Sequence, residues 1–502
     1  MTNKPEDVQP KTTEEPQPAP RDQIVEAEHT ATIGGQEISY TVTTGTLVLK
    51  EETEKKGDKA GESEGEKPKA SVFFVAYTRH DVEDKSRRPI TFSFNGGPGS
   101  SSVWLHLGAL GPRRVWLDDI GNLPPPPYRL VDNAHSILDT TDLVFIDPVL
   151  TGYSRAVVGE KAKEFLNFKK DIESVGDFIR LYATRYQRWL SPKFLIGESY
   201  GTTRAAGLSG YLQDRHGLYL NGIMLVSSIL DFGTADFHPG NDLPHILYLP
   251  TYAATAWYHQ RLDAPLQKDL RGLLDEVETF ALGEYTTALM KGAALTATER
   301  AAIIQRLARY TGLSADYLDR VNLRIEIMRF TKELLRDQRR TVGRLDSRLT
   351  GIDRDAGGEM FEYDPGMANT TGPYTAAFND YVRRELRFES DLPYEVLNFK
   401  ANEQWSFAQH ENRYVEVAET LRKAMTTNPY LKVFVANGYY DLATPYFATE
   451  YTLNHLSLDP GLQANISLGF YEAGHMMYIH HPSLAQLKQD LAAFIRSAVP
   501  QA

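Results

Sequence analysis

Cysteine is absent from all 502 residues, which excludes disulfides, iron–sulfur clusters, thiolate zinc sites and a cysteine nucleophile. That absence does not fix the compartment, since secreted proteins without disulfides exist. No run approaches the roughly 18 apolar residues that a membrane-spanning helix needs. Positive charge is in deficit: 54 Lys and Arg against 66 Asp and Glu leave a net charge of −12. That sign opposes binding to nucleic acid, whose phosphates are held by releasing counterions to basic side chains. No H-E-x-x-H or similar metal-ligand spacing occurs, so neither a metal nor a cofactor is called for. What is present is a chain with 42% hydrophobic and 11% aromatic residues, enough for a large core. Its length fits two to four units, or one large α/β domain with an insertion.

Residues 1–30 carry five prolines, seven acidic residues and no aromatic side chain, the composition of a disordered tail. No apolar segment follows the N-terminus, so as written the chain is expected to be cytoplasmic; periplasmic or secreted placement would require a leader already removed. Residues 51–70 hold 12 charged residues in 20 and are expected to be a mobile loop between two neighbouring strands. Beyond them, short β-branched runs recur at 89–97, 142–148, 192–199, 221–228, 431–438 and 466–475, as in parallel strands covered on both faces. Phe165, Phe168, Ile172, Val175 and Ile179 form one helical stripe between the second and third runs. Residues 236–428 differ in texture and predict a mostly helical cap insertion. One of its helices opens on Thr296 and Glu299 in capping-box spacing. The fold class is therefore α/β: a mostly parallel sheet with helices on both faces, built from 31–235 and 429–502, plus the cap.

The chemistry-bearing residues lie at the ends of these runs. Gly197-Glu198-Ser199-Tyr200-Gly201 fits a nucleophile elbow, and it follows an apolar strand and precedes a small-residue helix start. The same pattern at Gly61-Glu62-Ser63-Glu64-Gly65 has neither context and is a decoy. A serine needs a base, and the base needs a carboxylate to orient it. In the chain order serine, acid, histidine, the candidates are Ser199, Asp441 and His475, each beyond a strand's C-terminal end. His480 and His481 rank lower, since they lie past the loop apex. The glycine loop Asn95-Gly96-Gly97-Pro98-Gly99 follows another strand; Gly97 N–H and Tyr200 N–H are the candidate oxyanion donors.

Taken together, NGGPGSS, the D-P-V-x-T-G-Y-S-R segment at 147–155, GESYG, N-G-x-x-D and the Gly474-His475 pair resemble the serine carboxypeptidase family. The resemblance covers about 32–235 and 430–500. It implies an α/β-hydrolase fold, the triad and oxyanion donors above, and peptide substrates whose C-terminal carboxylate is held by Asn95, Gly96 and Glu198. Such a carboxylate can sit beside a glutamate only if one of the two is protonated.

Three departures from the family pattern stand out. Ala109 occupies the place of a second glutamate, Ser100 that of a cysteine, and Leu150 that of a glycine, where it is expected to reshape a pocket wall. Arg113, Arg114 and Arg155 are the alternative sources of positive charge. The leading expectation is a serine-type carboxypeptidase acting through an acyl-enzyme on Ser199. The alternatives are an esterase or acyltransferase using the same triad, and a catalytically silent binding protein. Oligomeric state is not legible.

Overall fold

The sheet combines long outer strands with short central ones buried on both faces, whose β-branched and aromatic side chains alternate between two cores. In the computed structural model, which describes residues 20–55 and 59–500, these strands are β1 (Gln23–Ile33), β2 (Gln36–Glu54), β3 (Ser63–Arg79), β4 (Ile90–Phe94), β5 (Asp142–Ile146), β6 (Lys193–Ser199), β7 (Gly222–Ser228), β8 (Lys432–Gly438) and β9 (Ile466–Tyr471). Their order across the sheet is β1-β2-β3-β5-β4-β6-β7-β8-β9. The first four in that order pair antiparallel, and from β5 to β9 every pairing is parallel. Along β6, Phe194 and Ile196 face one core while Leu195 faces the other. The period of two is what sends successive residues to opposite faces.

Helices cover both faces. The predicted stripe becomes the helix Phe168–Arg185, capped by Asn167 Oδ1, which accepts from Lys170 N–H at 3.0 Å. It buries Ile172, Val175, Phe178 and Ile179 against Phe74, Phe92 and Leu195. The C-terminal helix His481–Ala498 buries Leu487, Leu491 and Ile495 on the opposite face. Among the described residues, no helix is long and apolar enough to cross a membrane.

The structure departs from three sequence expectations. Of the tail expected over 1–30, residues 1–19 lie outside the described residues, and from Gln23 the chain is already strand β1. Of residues 51–70, expected as a mobile loop, 56–58 lie outside the described residues, while 51–54 and 63–70 extend the β2–β3 ladder, with Glu51 opposite Lys67 and Lys50 3.9 Å from Glu66. Opposite charges facing each other across strands hold a ladder that apolar periodicity cannot announce. Finally, 236–428 is not one body. Helices Leu243–Tyr258, Leu270–Phe280 and Ala297–Thr311 share a core of their own around Leu247, Tyr252, Leu274 and Leu307. The Thr296–Glu299 capping box opens the last of these. By contrast, helix Pro365–Arg384 lays Tyr374 and Phe378 on one face of the main sheet. Helix Ala418–Thr427 lays Leu421 and Met425 on the other. Helical texture tells that a helix exists but not which core takes its apolar face.

A buried ion network anchors the start of β5. Asp142 accepts from Arg88 Nε at 3.1 Å and from Arg188 Nη1 at 2.6 Å, all three being nearly inaccessible. Removing one member of such a network leaves buried charge uncompensated. Asp142→Ala is expected to lower stability by about 3–5 kcal/mol in urea denaturation. A loss below about 1 kcal/mol, the worth of a surface pair, would contradict this account.

Candidate active site

β6 ends at Ser199 and the helix Tyr200–His216 begins on the next residue, so the chain reverses direction within one peptide unit. Ser199 adopts φ 60° and ψ −130°, a conformation that costs a non-glycine residue on the order of 1–3 kcal/mol. The turn is possible because glycines flank it. A Cβ on Gly197 would lie 2.1 Å from Gly201 O, and one on Gly201 would lie 2.8 Å from Phe94 O. Across the gap, a Cβ on Gly96 would meet Tyr200 N at 2.5 Å. The loop after β4 and the turn after β6 therefore touch backbone to backbone.

Arg204, on the first turns of the helix, locks that contact. Its Nη1 donates to Asn95 O at 2.5 Å and its Nε to Asp171 Oδ2 at 2.8 Å, with the guanidinium 1% exposed. Gly97 lies beyond, at φ +99°, and its N–H has no acceptor among the described residues. The N–H of Tyr200, first residue of its helix, likewise has none, as expected of an N-terminal helical amide. Two uncommitted amides beside one serine are what a developing oxyanion requires.

Asp441 and His475 meet at the same sheet edge. Asp441 is fully buried, and its Oδ2 lies 2.8 Å from His475 Nδ1. Oδ1 accepts from Ala443 N–H at 2.8 Å and Thr444 N–H at 3.0 Å, and the Thr444 hydroxyl donates to Oδ2 at 2.7 Å. Burial alone would depress the imidazole; the Asp441 carboxylate beside it outweighs burial, and the net shift is upward from the ordinary histidine value. The backbone of His475 is pinned at both ends: its N–H donates to Leu345 O at 2.6 Å and its C=O accepts from Ser227 Oγ at 2.6 Å. Ser199 Oγ makes no hydrogen bond among the described residues; it and His475 line one cavity of about 260 Å³. Contacts of this kind commonly tighten only when substrate is bound.

Asn95, Gly96, Gly97 and Glu198 line that cavity as well. Glu198 is buried, and its Oε2 accepts from the Tyr478 hydroxyl at 2.6 Å. Burial pushes its pKa up to about 7, against the pull of His475 and the Tyr478 and Asn95 hydrogen-bonding groups. Asn95 Oδ1 accepts from Leu105 N–H at 3.1 Å, while its Nδ2 is buried with no fully formed partner. Ala109 is buried in a short helical turn, His106–Leu110. The partner that Glu198 does have is the phenol of Tyr478, three residues past His475, whose ring lies against Gly108. No motif marks Tyr478 or Thr444 in the sequence.

Other expected residues are elsewhere. Arg113 pairs with Asp132 and Glu385, Arg114 lies against His481, and Arg155 donates to the carbonyls of Gly152, Ser154 and Pro393. None of the three lines the cavity, and neither His480 nor His481 does. Leu150 is not a wall residue either. It holds φ +73°, which explains why a glycine suits the position. Instead the walls include Arg344, Leu345, Met367, Leu397 and Phe399, all from the inserted segment. The sequence carried no signal for them.

Gly197→Ala is expected to slow labelling of Ser199 by a fluorophosphonate about 100-fold, because a displacement of about 1 Å in the reacting group costs that much. Ser199→Ala should abolish labelling, and an unchanged rate in Gly197→Ala would show that the turn tolerates a Cβ.

Known proteins resemble this chain in sequence and in fold. A family model described as serine carboxypeptidase matches residues 60–475. The pheromone-processing carboxypeptidase KEX1 of Saccharomyces cerevisiae is 34% identical over 135 residues, 26% of this chain and 17% of that protein. Serine carboxypeptidase-like 29 of Arabidopsis thaliana is 27% identical over 175 residues, 31% of this chain and 32% of its own. The aligned stretches thus span a third or less of these curated relatives. The crystal structure of KEX1, a prohormone-processing carboxypeptidase, superposes with a TM-score of 0.56 at 15% identity, covering 91% of each chain. That likeness establishes the α/β-hydrolase fold, and with its family model matched over most of its length the chain belongs to the serine carboxypeptidase family.

Proposed function

We propose that the protein is a serine-type carboxypeptidase that releases C-terminal residues from peptides. The observation that carries this reading is the shared cavity: the Ser199 elbow, the His475–Asp441 pair and the Asn95–Glu198 corner all open onto it. In the first step Ser199 Oγ attacks the scissile carbonyl while His475 Nε2 takes its proton. Asp441 holds Nδ1–H and stabilises the imidazolium. The carbonyl oxygen turns into the N–H groups of Gly97 and Tyr200 as it gains charge. His475 then returns the proton to the leaving amine, and a water activated in the same way releases the acyl group. The substrate's terminal carboxylate is assigned to Asn95, Gly96 N–H and Glu198, the last accepting it while protonated. An ester-hydrolysing or acyl-transferring enzyme would use the same triad with no need for a buried glutamate beside it.

Glu198 stays neutral up to about pH 7, so a carboxylate is welcome below that pH and repelled above it. The kcat/KM for a free-acid peptide should therefore fall as pH rises through about 7, whereas that for its C-terminally amidated twin should not. The Tyr478 hydroxyl favours ionised Glu198, so Tyr478→Phe should move the falling limb to higher pH. Superposable profiles for the two substrates would remove Glu198 from carboxylate recognition.

The reading itself is tested by mass spectrometry of a mixed peptide digest treated with wild type and with Ser199→Ala. Ladders shortened from the C-terminus, with wild type only, are expected. Intact peptides alongside active hydrolysis of an aryl ester would move the protein to the esterase or acyltransferase class.

A further inference from the structure

Arg344 is the cation of the cavity, and nothing in the protein neutralises it by direct contact. Among the described residues it forms no ion pair, and its guanidinium makes no hydrogen bond, although most arginines of the chain are paired. An acid whose field it shapes is Asp364. That carboxylate is already engaged by the N–H groups of Leu345 at 3.0 Å and Gly366 at 2.8 Å. The other titratable groups on the wall are Glu198 and His475, the first held by Tyr478 and the second by Asp441. A half-buried guanidinium with its donors uncommitted is poised for an anion, and a carboxylate matches its planar fork.

The backbone fixes where that guanidinium sits. Arg344 O accepts from Leu442 N–H at 3.0 Å, the residue after Asp441, and Leu345 O accepts from His475 N–H at 2.6 Å. Two residues on, Asp346 and Arg348 form a buried ion pair, and Asp346 Oδ2 accepts from Gly474 N–H at 3.2 Å. The segment carrying Arg344 is thus tied by main-chain hydrogen bonds to the loops of both the acid and the base. Its side chain is the part left over, and it lines the cavity with Ser199.

We infer that Arg344 is a carboxylate-binding residue of the substrate site, receiving either the acidic side chain of a residue beside the scissile bond or the peptide's terminal carboxylate. The inference rests on the hydrolase reading of the cavity and extends it to the ligand chemistry: a peptide carboxylate, on a side chain or at the terminus, is what the cavity's guanidinium receives.

The test measures preference ratios, which do not depend on how much of a variant folds. Three matched pairs are used: peptides with Glu or Gln at the penultimate position, the same pair at the last position, and a free-acid peptide against its amide. Wild type should prefer the carboxylate member in at least one pair. Arg344→Gln should cut that preference roughly 10- to 100-fold, the span of one charge-assisted contact. Arg344→Glu should reverse it toward a Lys-containing peptide. A loss confined to a Glu/Gln pair identifies the side chain as the ligand, and one confined to the acid/amide pair identifies the terminus. Ratios in Arg344→Gln equal to those of wild type in all three pairs would overturn the inference. Were no peptide cleaved, the peptidase reading would fail by itself. The 4-nitrophenyl esters of butyrate and of hemisuccinate would then supply the neutral and anionic pair, and an unchanged ratio there would overturn the role of Arg344 separately.

Discussion

Backbone-to-backbone contact between the loop after β4 and the turn after β6 is the constraint on which the active site depends. Side chains cannot mediate it, because Gly96, Gly197 and Gly201 each lack room for a Cβ. Oxyanion donors must point at an atom that exists only during the reaction, so their directions have to be set by the fold beforehand. Close packing of two main chains sets them more rigidly than rotatable side chains could. Arg204 closes the arrangement from behind, since its guanidinium holds the Asn95 carbonyl and thereby aims the glycine loop. Burying that guanidinium is tolerable only because Asp171 is buried with it.

A second constraint couples selection of substrate to catalysis. The segment from Arg344 to Arg348 belongs to the insertion by sequence, yet its hydrogen bonds go to residues 440, 442, 474 and 475 of the sheet domain. Tyr440, Leu442 and Tyr446, which flank the catalytic acid, are in turn part of the insertion's core. Movement of the cap relative to the sheet would therefore disturb the acid and base loops directly. Insertions on this fold can vary in sequence, but this segment is bound by the geometry of His475 and Asp441.

The parts of the fold legible in the sequence were those governed by local rules. Apolar runs such as KFLI and KVFV are long enough to be strands and too short to be buried helices. The glycines at 197 and 201 flag a turn with no space for side chains. What was not legible required knowing a partner. The charged stretch 51–70 lacks apolar periodicity and is strand only because Glu51 has Lys67 across from it. The helix at 365–384 looks like the cap helices in composition, and it is the hydrogen bond of Tyr381 to Tyr77 and its share in the sheet's core that assign it to the sheet. Arg344 and Tyr478 fall in no motif, since their meaning lies in which loop the fold brings beside them. Leu150 was read as a change of pocket shape, whereas its positive φ makes it a backbone matter.

Tyr478 in place of a second carboxyl group changes more than a contact. Two buried carboxyls share one proton and titrate as a coupled pair, each setting the other's affinity for it. A phenol buried as deeply as Tyr478 keeps its proton throughout the working range, since burial and the Glu198 charge both push its ionisation upward. Glu198 therefore faces a fixed donor, and the charges that act on its proton are those of His475 and Asp441. The proton that admits a substrate carboxylate must then come from Glu198 itself. Its burial, which holds that proton up to about pH 7, does what the missing partner would otherwise do. A Cβ on Gly108 would lie 2.4 Å from Tyr478 Cε2 and 2.6 Å from Tyr374 Oη. The glycine at 108 and the phenol at 478 are thus one arrangement, in which the ring that donates to Glu198 fits only because residue 108 has no side chain.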